Sequence, residues 1–147
     1  MNIIDRLKRK KIQVTEIPKW GPYLRKEWEN SFANHLTKQE KAGIHLFDKG
    51  GSSGHLWHVF SYNTLECLEG EKAEEAFNYE AKKECFVFFQ HEDDALLVEN
   101  ALLFHTDDLF DEEDTDMYIV DKHFHWTFAV THETGLCGPY FTRIKES

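Results

Sequence analysis

The chain carries nine histidines and a long run of carboxylates, and these are the residue types from which metal and acid–base chemistry is built. Six histidines stand close to acids or to each other. His55 and His58 are three apart, His123 and His125 two apart, and His91-Glu92-Asp93 and His132-Glu133 each close an apolar run. On a strand, an i,i+2 pair shares a face and an i,i+3 pair does not, so His123/His125 is the better-placed pair if both regions are extended. The set that can converge on a divalent ion is His91, Asp93, His132 and Glu133, provided the two segments that end in these residues pair in the fold. No H-E-x-x-H or comparable ligand spacing is present, so the first expectation is packed or surface histidines, with no cofactor. A metal-dependent hydrolase, with a divalent ion held by that cluster, is the alternative.

Nucleophilic signatures are weaker still. Cys67, Cys85 and Cys137 are far apart and odd in number, which does not make a disulfide framework. Cys85 lies in an apolar run, where burial makes a thiol inert, and Cys137 is within sequence reach of His132. The glycines of residues 50–54 lack the lysine and helix start of a phosphate-binding loop. The balance of motifs points away from an enzyme.

The acids give the sharper signal. Between Glu84 and Asp121 there are thirteen acidic residues and no lysine or arginine. The net charge is −10, but residues 1–26 hold eight basic and two acidic residues. Such a body repels nucleic-acid phosphates and anionic membranes, and attracts a basic protein. The charge concentrates at Glu92, Asp93 and Asp94 and at Asp107, Asp108, Asp111, Glu112, Glu113 and Asp114, with Phe110 as an apolar contact inside the second cluster. These residues form the candidate binding face for a basic partner, as an immunity or inhibitor protein would present it. The basic N-terminal end lying against the chain's own acids is the other arrangement, and self-association through exposed aromatics is a third reading.

The elements that must position these residues read as α+β in a single domain, with N-terminal helices on a mostly antiparallel sheet. Residues 2–10 give a short helix and 12–15 a short strand. Gly21-Pro22 opens a helix whose stripe runs Leu24, Trp28, Phe32, Leu36, and Thr37 with Glu40 forms a capping box. Residues 44–47 and 55–62 read as strands, 69–81 as a helix, and Cys85–Phe89 as a strand at the sheet centre. Residues 95–104 fit either a short helix or an edge strand. Residues 118–120 and 124–131 read as strands, the latter with Phe124, Trp126, Phe128 and Val130 on one face. Twenty-one aromatic residues in 147 argue for a packed core. The polar start and the lack of an apolar run near 18 residues make a soluble cytoplasmic protein the expectation.

Several segments together, Trp20-Gly21-Pro22-Tyr23-Leu24-Arg25 with Trp28, Trp57–Tyr62, Cys67 through Asn78, Gln90–Ala95, Trp126-Thr127-Phe128 with Thr131-His132-Glu133, and Gly138–Phe141, resemble a family of uncharacterised bacterial proteins of about this length. The resemblance spans nearly the whole chain. It implies a single cytoplasmic domain and carries no activity, cofactor or site residues.

Overall fold

The computed structural model describes residues 2–47, 54–109, 115–133 and 136–144. The candidate binding residues Phe110, Asp111, Glu112, Glu113 and Asp114 lie outside these. Among the described residues, seven strands form one antiparallel sheet: β1 (Gln13–Ile17), β2 (Leu68–Glu69), β3 (Glu84–Phe89), β4 (Ala95–Glu99), β5 (Met117–Asp121), β6 (Trp126–Val130) and β7 (Tyr140–Arg143). Their order is β1-β4-β3-β5-β6-β7-β2. Hairpins join β3 to β4, β5 to β6 and β6 to β7, and β1 adds at one edge by pairing Gln13–Ile17 with Glu99–Ala95. The fold is α+β, as the order of helix and strand patterns implied.

The interior strands are apolar on both faces because helices cover both. Successive residues of a strand point to opposite sides, and the core divides accordingly. Cys85, Val87, Val98, Ile119 and Phe128 pack with Ile3 and Leu7 of α1 (Ile3–Arg9) and with Ala73 and Phe77 of α5 (Glu71–Tyr79). Phe88, Tyr118, Val120 and Ala129 pack with Leu24, Trp28 and Phe32 of α2 (Gly21–Phe32) and with Val59 and Phe60 of α4 (His58–Ser61). The Trp28 indole N–H donates to Thr127 Oγ1 at 2.9 Å, and Thr127 Oγ1 donates to the Ile119 carbonyl at 3.0 Å. The second core therefore holds its buried polar atoms in a closed chain.

Local signals account for most boundaries. Asn2 accepts from the Asp5 N–H and starts α1, and Pro22 sits in the first turn of α2. Thr37 and Glu40 form the reciprocal capping box of α3 (Lys38–Gly43). Lys82 ends α5: its ammonium donates to the carbonyls of Phe77 (2.6 Å) and Glu80 (3.1 Å) and lies 4.4 Å above the Phe77 ring. Burial pushes that amine down to about 8.

Three sequence expectations fail. Residues 44–47 and 55–62 are not strands; the second segment turns into α4. An aromatic run that is apolar on both faces suits a buried helical turn as well as a strand, and Trp57, Val59 and Phe60 are all buried here by helical spacing. Phe124 does not join the face of Trp126, Phe128 and Val130. It occupies the hairpin turn with a left-handed backbone (φ 58) and packs on the α2 side. The ambiguous stretch 95–104 is strand first and then a 3₁₀ turn at Ala101–Leu103.

Candidate functional site

One carboxylate is the hub. Asp116 lies just before β5 and is 6 % exposed. Its main-chain carbonyl accepts from the Gln90 N–H, which fixes it against the end of β3. Its Oδ1 accepts from the Trp57 indole N–H at 2.9 Å and from the His132 backbone N–H at 2.8 Å. With the carboxylate held by those donors, Oδ2 faces two imidazoles: His55 Nε2 at 3.3 Å and His132 Nδ1 at 3.1 Å. His132 Nδ1 is also 2.9 Å from Oδ1. Ligand atoms of His55, Asp116 and His132 all lie within 4.8 Å of one another, the one such group of three among the described residues.

Three separate segments deliver these side chains. His132 leaves the end of β6, beside Thr131. His55 comes from the approach to α4. That approach crosses the chain at Gly54, where a Cβ would sit 2.1 Å from the Phe47 carbonyl carbon, so no larger residue fits. The approach is then stitched to the sheet. The Leu56 N–H donates to Gln90 Oε1 at 2.9 Å, the Trp57 N–H donates to the Tyr118 hydroxyl at 3.1 Å, and that hydroxyl donates to Gln90 Oε1. Burial pushes the Tyr118 phenol far above its ordinary value, so it remains a donor.

More imidazoles surround the hub. The rings of His58 and His132 are each 5.1 Å from that of His55, and the His91 ring is 5.7 Å away. His58 Nδ1 meets the carbonyls of Ile44 and His45 at 2.9 and 3.0 Å. Carbonyls only accept, so that nitrogen carries its hydrogen and Nε2 keeps a lone pair. His55 Nδ1 is buried with no hydrogen-bond partner. Burial holds the His55 imidazole below its usual range, more strongly than the nearby Asp116 raises it, and the neighbouring histidines add to the depression. A depressed imidazole offers a lone pair where an imidazolium would not.

The donor set fits a divalent transition ion. Ligands about 2.0–2.1 Å from a tetrahedral ion stand ~3.3 Å from one another, which is the spacing of His55 Nε2 and His132 Nδ1 from Asp116 Oδ2. The ion would replace the protons that those nitrogens now direct at the carboxylate.

Of the sequence-predicted metal set, His132 is in the hub and His91 stands beside it. Glu133 Oε1 lies 3.7 Å from His132 Nε2, on the outer side. Asp93 turns instead to Arg25, 3.4 Å away. His55 and Asp116 were missed. His123 and His125 lie at the other end of β5, near Asp121. Burial raises all three thiols, Cys67 to about 11 and Cys85 to about 12, and the acids Glu133 and Glu69 add to the rise at Cys137.

The described acidic candidates, Glu92, Asp93, Asp94, Asp107 and Asp108, are divided between the two faces of the sheet. Asp94 Oδ1 accepts from the Lys19 N–H, and Asp93 meets Arg25 of α2. Asp108 is met at 2.8 Å by Lys10, the residue that caps the C-terminus of α1, and its carbonyl accepts from Arg6 at 2.7 Å. Lys10, Arg25 and Lys26 of the basic N-terminal segment thus pair with the chain's own acids, while Glu92, Asp93, Asp94 and Asp107 stay exposed.

A family model described as Domain of unknown function (DUF4275) matches residues 1–141. The chain belongs to this family. No curated protein and no solved structure matches it. No helix among the described residues of this DUF4275 protein is long and apolar enough to cross a membrane.

Proposed function

We propose that this protein holds a divalent transition metal at His55, Asp116 and His132 and uses it for hydrolysis. The reading is carried by the convergence of two imidazoles from distant segments on one buried, oriented carboxylate. Three protein ligands leave a coordination position for water, and an ion there supplies a polarised water at neutral pH. Asp116 sets the charge that attracts the ion, Trp57 and the His132 N–H hold the carboxylate in one orientation, and half-exposed His132 marks the side open to substrate.

The test is metal binding by the chelator-treated full chain. Calorimetric titration with Zn²⁺ is expected to give one site, lost in His132→Ala and Asp116→Asn. Ester and phosphoester substrates are then screened with the loaded protein. Equal Zn²⁺ binding by wild type and both variants would overturn the assignment.

A second reading, an acidic domain that engages a basic protein, is favoured by the exposed side chains of Glu92, Asp93 and Asp94 on one turn. Long-range attraction would speed such an encounter and would fade with salt. Retention of a basic protein at low but not high ionic strength supports it, and loss of retention in Glu92→Gln/Asp94→Asn, with Asp107→Asn on the opposite face unchanged, would assign it to this turn.

A further inference from the structure

We infer that His91 is a further ligand of the same ion, which makes the centre a three-imidazole, one-carboxylate site. This rests on the metal reading above and adds to it the ligand count and the class of metal.

Four observations carry it. The His91 ring is 5.7 Å from the His55 ring and at 79° to it. A cavity of about 210 Å³ is lined by His91, Gln90 and Glu92 together with Thr115 and Asp116, so His91 and the hub residue Asp116 border one space. His91 is exposed, which leaves its ring room to rotate toward that space. The backbone carrying it is fixed: Arg25 Nη1 donates to the carbonyls of Phe89 (2.9 Å) and Glu92 (2.6 Å), on either side of Gln90 and His91. The N-terminus of α2 secures the same turn. The Gly21 N–H donates to the Asp93 carbonyl at 2.7 Å, and a Cβ at Gly21 would lie 2.6 Å from the Glu92 carbonyl oxygen. An exposed hairpin turn is ordinarily the loosest part of a sheet. Here an arginine and a helix end hold it, and what they hold beside Asp116 is an imidazole.

Three nitrogens and one oxygen suit the borderline ions Zn²⁺, Cu²⁺, Ni²⁺ and Co²⁺ and disfavour Mg²⁺ and Ca²⁺, which take oxygen ligands. Zinc can accept water as a fifth ligand, so the added imidazole leaves hydrolysis open. Arg25 is a positioning residue: it touches the turn and not the ion.

Cu²⁺ at one equivalent is the probe, since its electron paramagnetic resonance spectrum counts coordinated nitrogens. Zn²⁺ competition measures affinity, and circular dichroism checks the fold of each variant. The expected result is three nitrogens in wild type, two in His91→Ala, and Zn²⁺ affinity at least tenfold lower in that variant. Arg25→Lys is expected to weaken Zn²⁺ by a smaller factor with three nitrogens retained, and Mg²⁺ at millimolar concentration should not displace Zn²⁺. Two nitrogens in wild type with His91→Ala within twofold in affinity would overturn the inference and leave the three-residue site standing. Loss of the third nitrogen in His58→Ala, whose ring is 5.1 Å from that of His55, instead of in His91→Ala would also overturn it. No copper or zinc binding by wild type would overturn both.

Discussion

Two buried aspartates, Asp108 and Asp116, come from the same acid-only window and end in opposite chemical situations. Asp108 is answered by a covalently attached cation, Lys10 at 2.8 Å, and by the His105 backbone N–H at 2.9 Å. It ties the end of α1 to the 3₁₀ turn Thr106–Asp108. Asp116 is answered by an indole, a backbone N–H and two imidazoles, which bring hydrogen bonds and lone pairs but no permanent charge. A carboxylate paired with lysine is a finished structural contact. A carboxylate ringed by imidazoles, one of them with an orphaned buried nitrogen, is a place still fit to receive a cation. Burial alone does not separate the two, since they are 4 % and 6 % exposed. The partners do.

The largest effect that can break this contrast is at Asp116. Asp116→Ala strands the Trp57 and His132 donors in the interior, and is expected to cost about 2–4 kcal/mol in urea unfolding and to abolish Zn²⁺ binding. Asp108→Ala should cost less, about 1–2 kcal/mol, because Lys10 remains partly solvated and the Arg6 bond goes to the backbone. Its Zn²⁺ affinity should match wild type. A metal defect in Asp108→Ala would erase the distinction.

A smaller effect sharpens it through pH. The His55 imidazole is depressed in the folded state, so the unfolded chain binds the extra proton first. The stability this contributes is full above the unfolded value of about 6.5 and falls as pH drops below it. Unfolding of metal-free protein between pH 7.5 and 5.5 should show that loss, and His55→Gln should flatten it. The smallest effect belongs to exposed Asp107, where Asp107→Asn should change stability by less than ~0.5 kcal/mol.

Much of the scaffold was legible because its signals are local. The Gly21-Pro22 start, the Thr37/Glu40 box and the apolar run of β3 each depend on neighbours in sequence. The α4 segment was not legible, since Leu56–Tyr62 is apolar in every direction and no period distinguishes helix from strand there. That misreading hid the site, for it treated His55 as half of a strand pair. Asp116 was hidden by company: one acid among many in a run, distinguished only by abutting the apolar strand Met117–Val120. His132 and His91 were found as the ends of strands, and the structure does bring those ends close to one another around His55. The placement of Asp93 and Asp94 on one face and Asp108 on the other was not readable, because it depends on which basic residues of the N-terminal segment reach which turn.

The N-terminal segment has a consequence for the order of assembly. Its ties are among the most distant in sequence: Arg6 to Asp108 spans 102 residues, Arg25 to Glu92 spans 67, and edge strand β1 pairs with β4. Closing such loops costs chain entropy before any contact forms. The helices and edge strand that precede β3 and β4 must therefore wait for those strands before they can dock. The turn bearing His91 is then secured by a segment that lies ahead of it in the chain and is seated late.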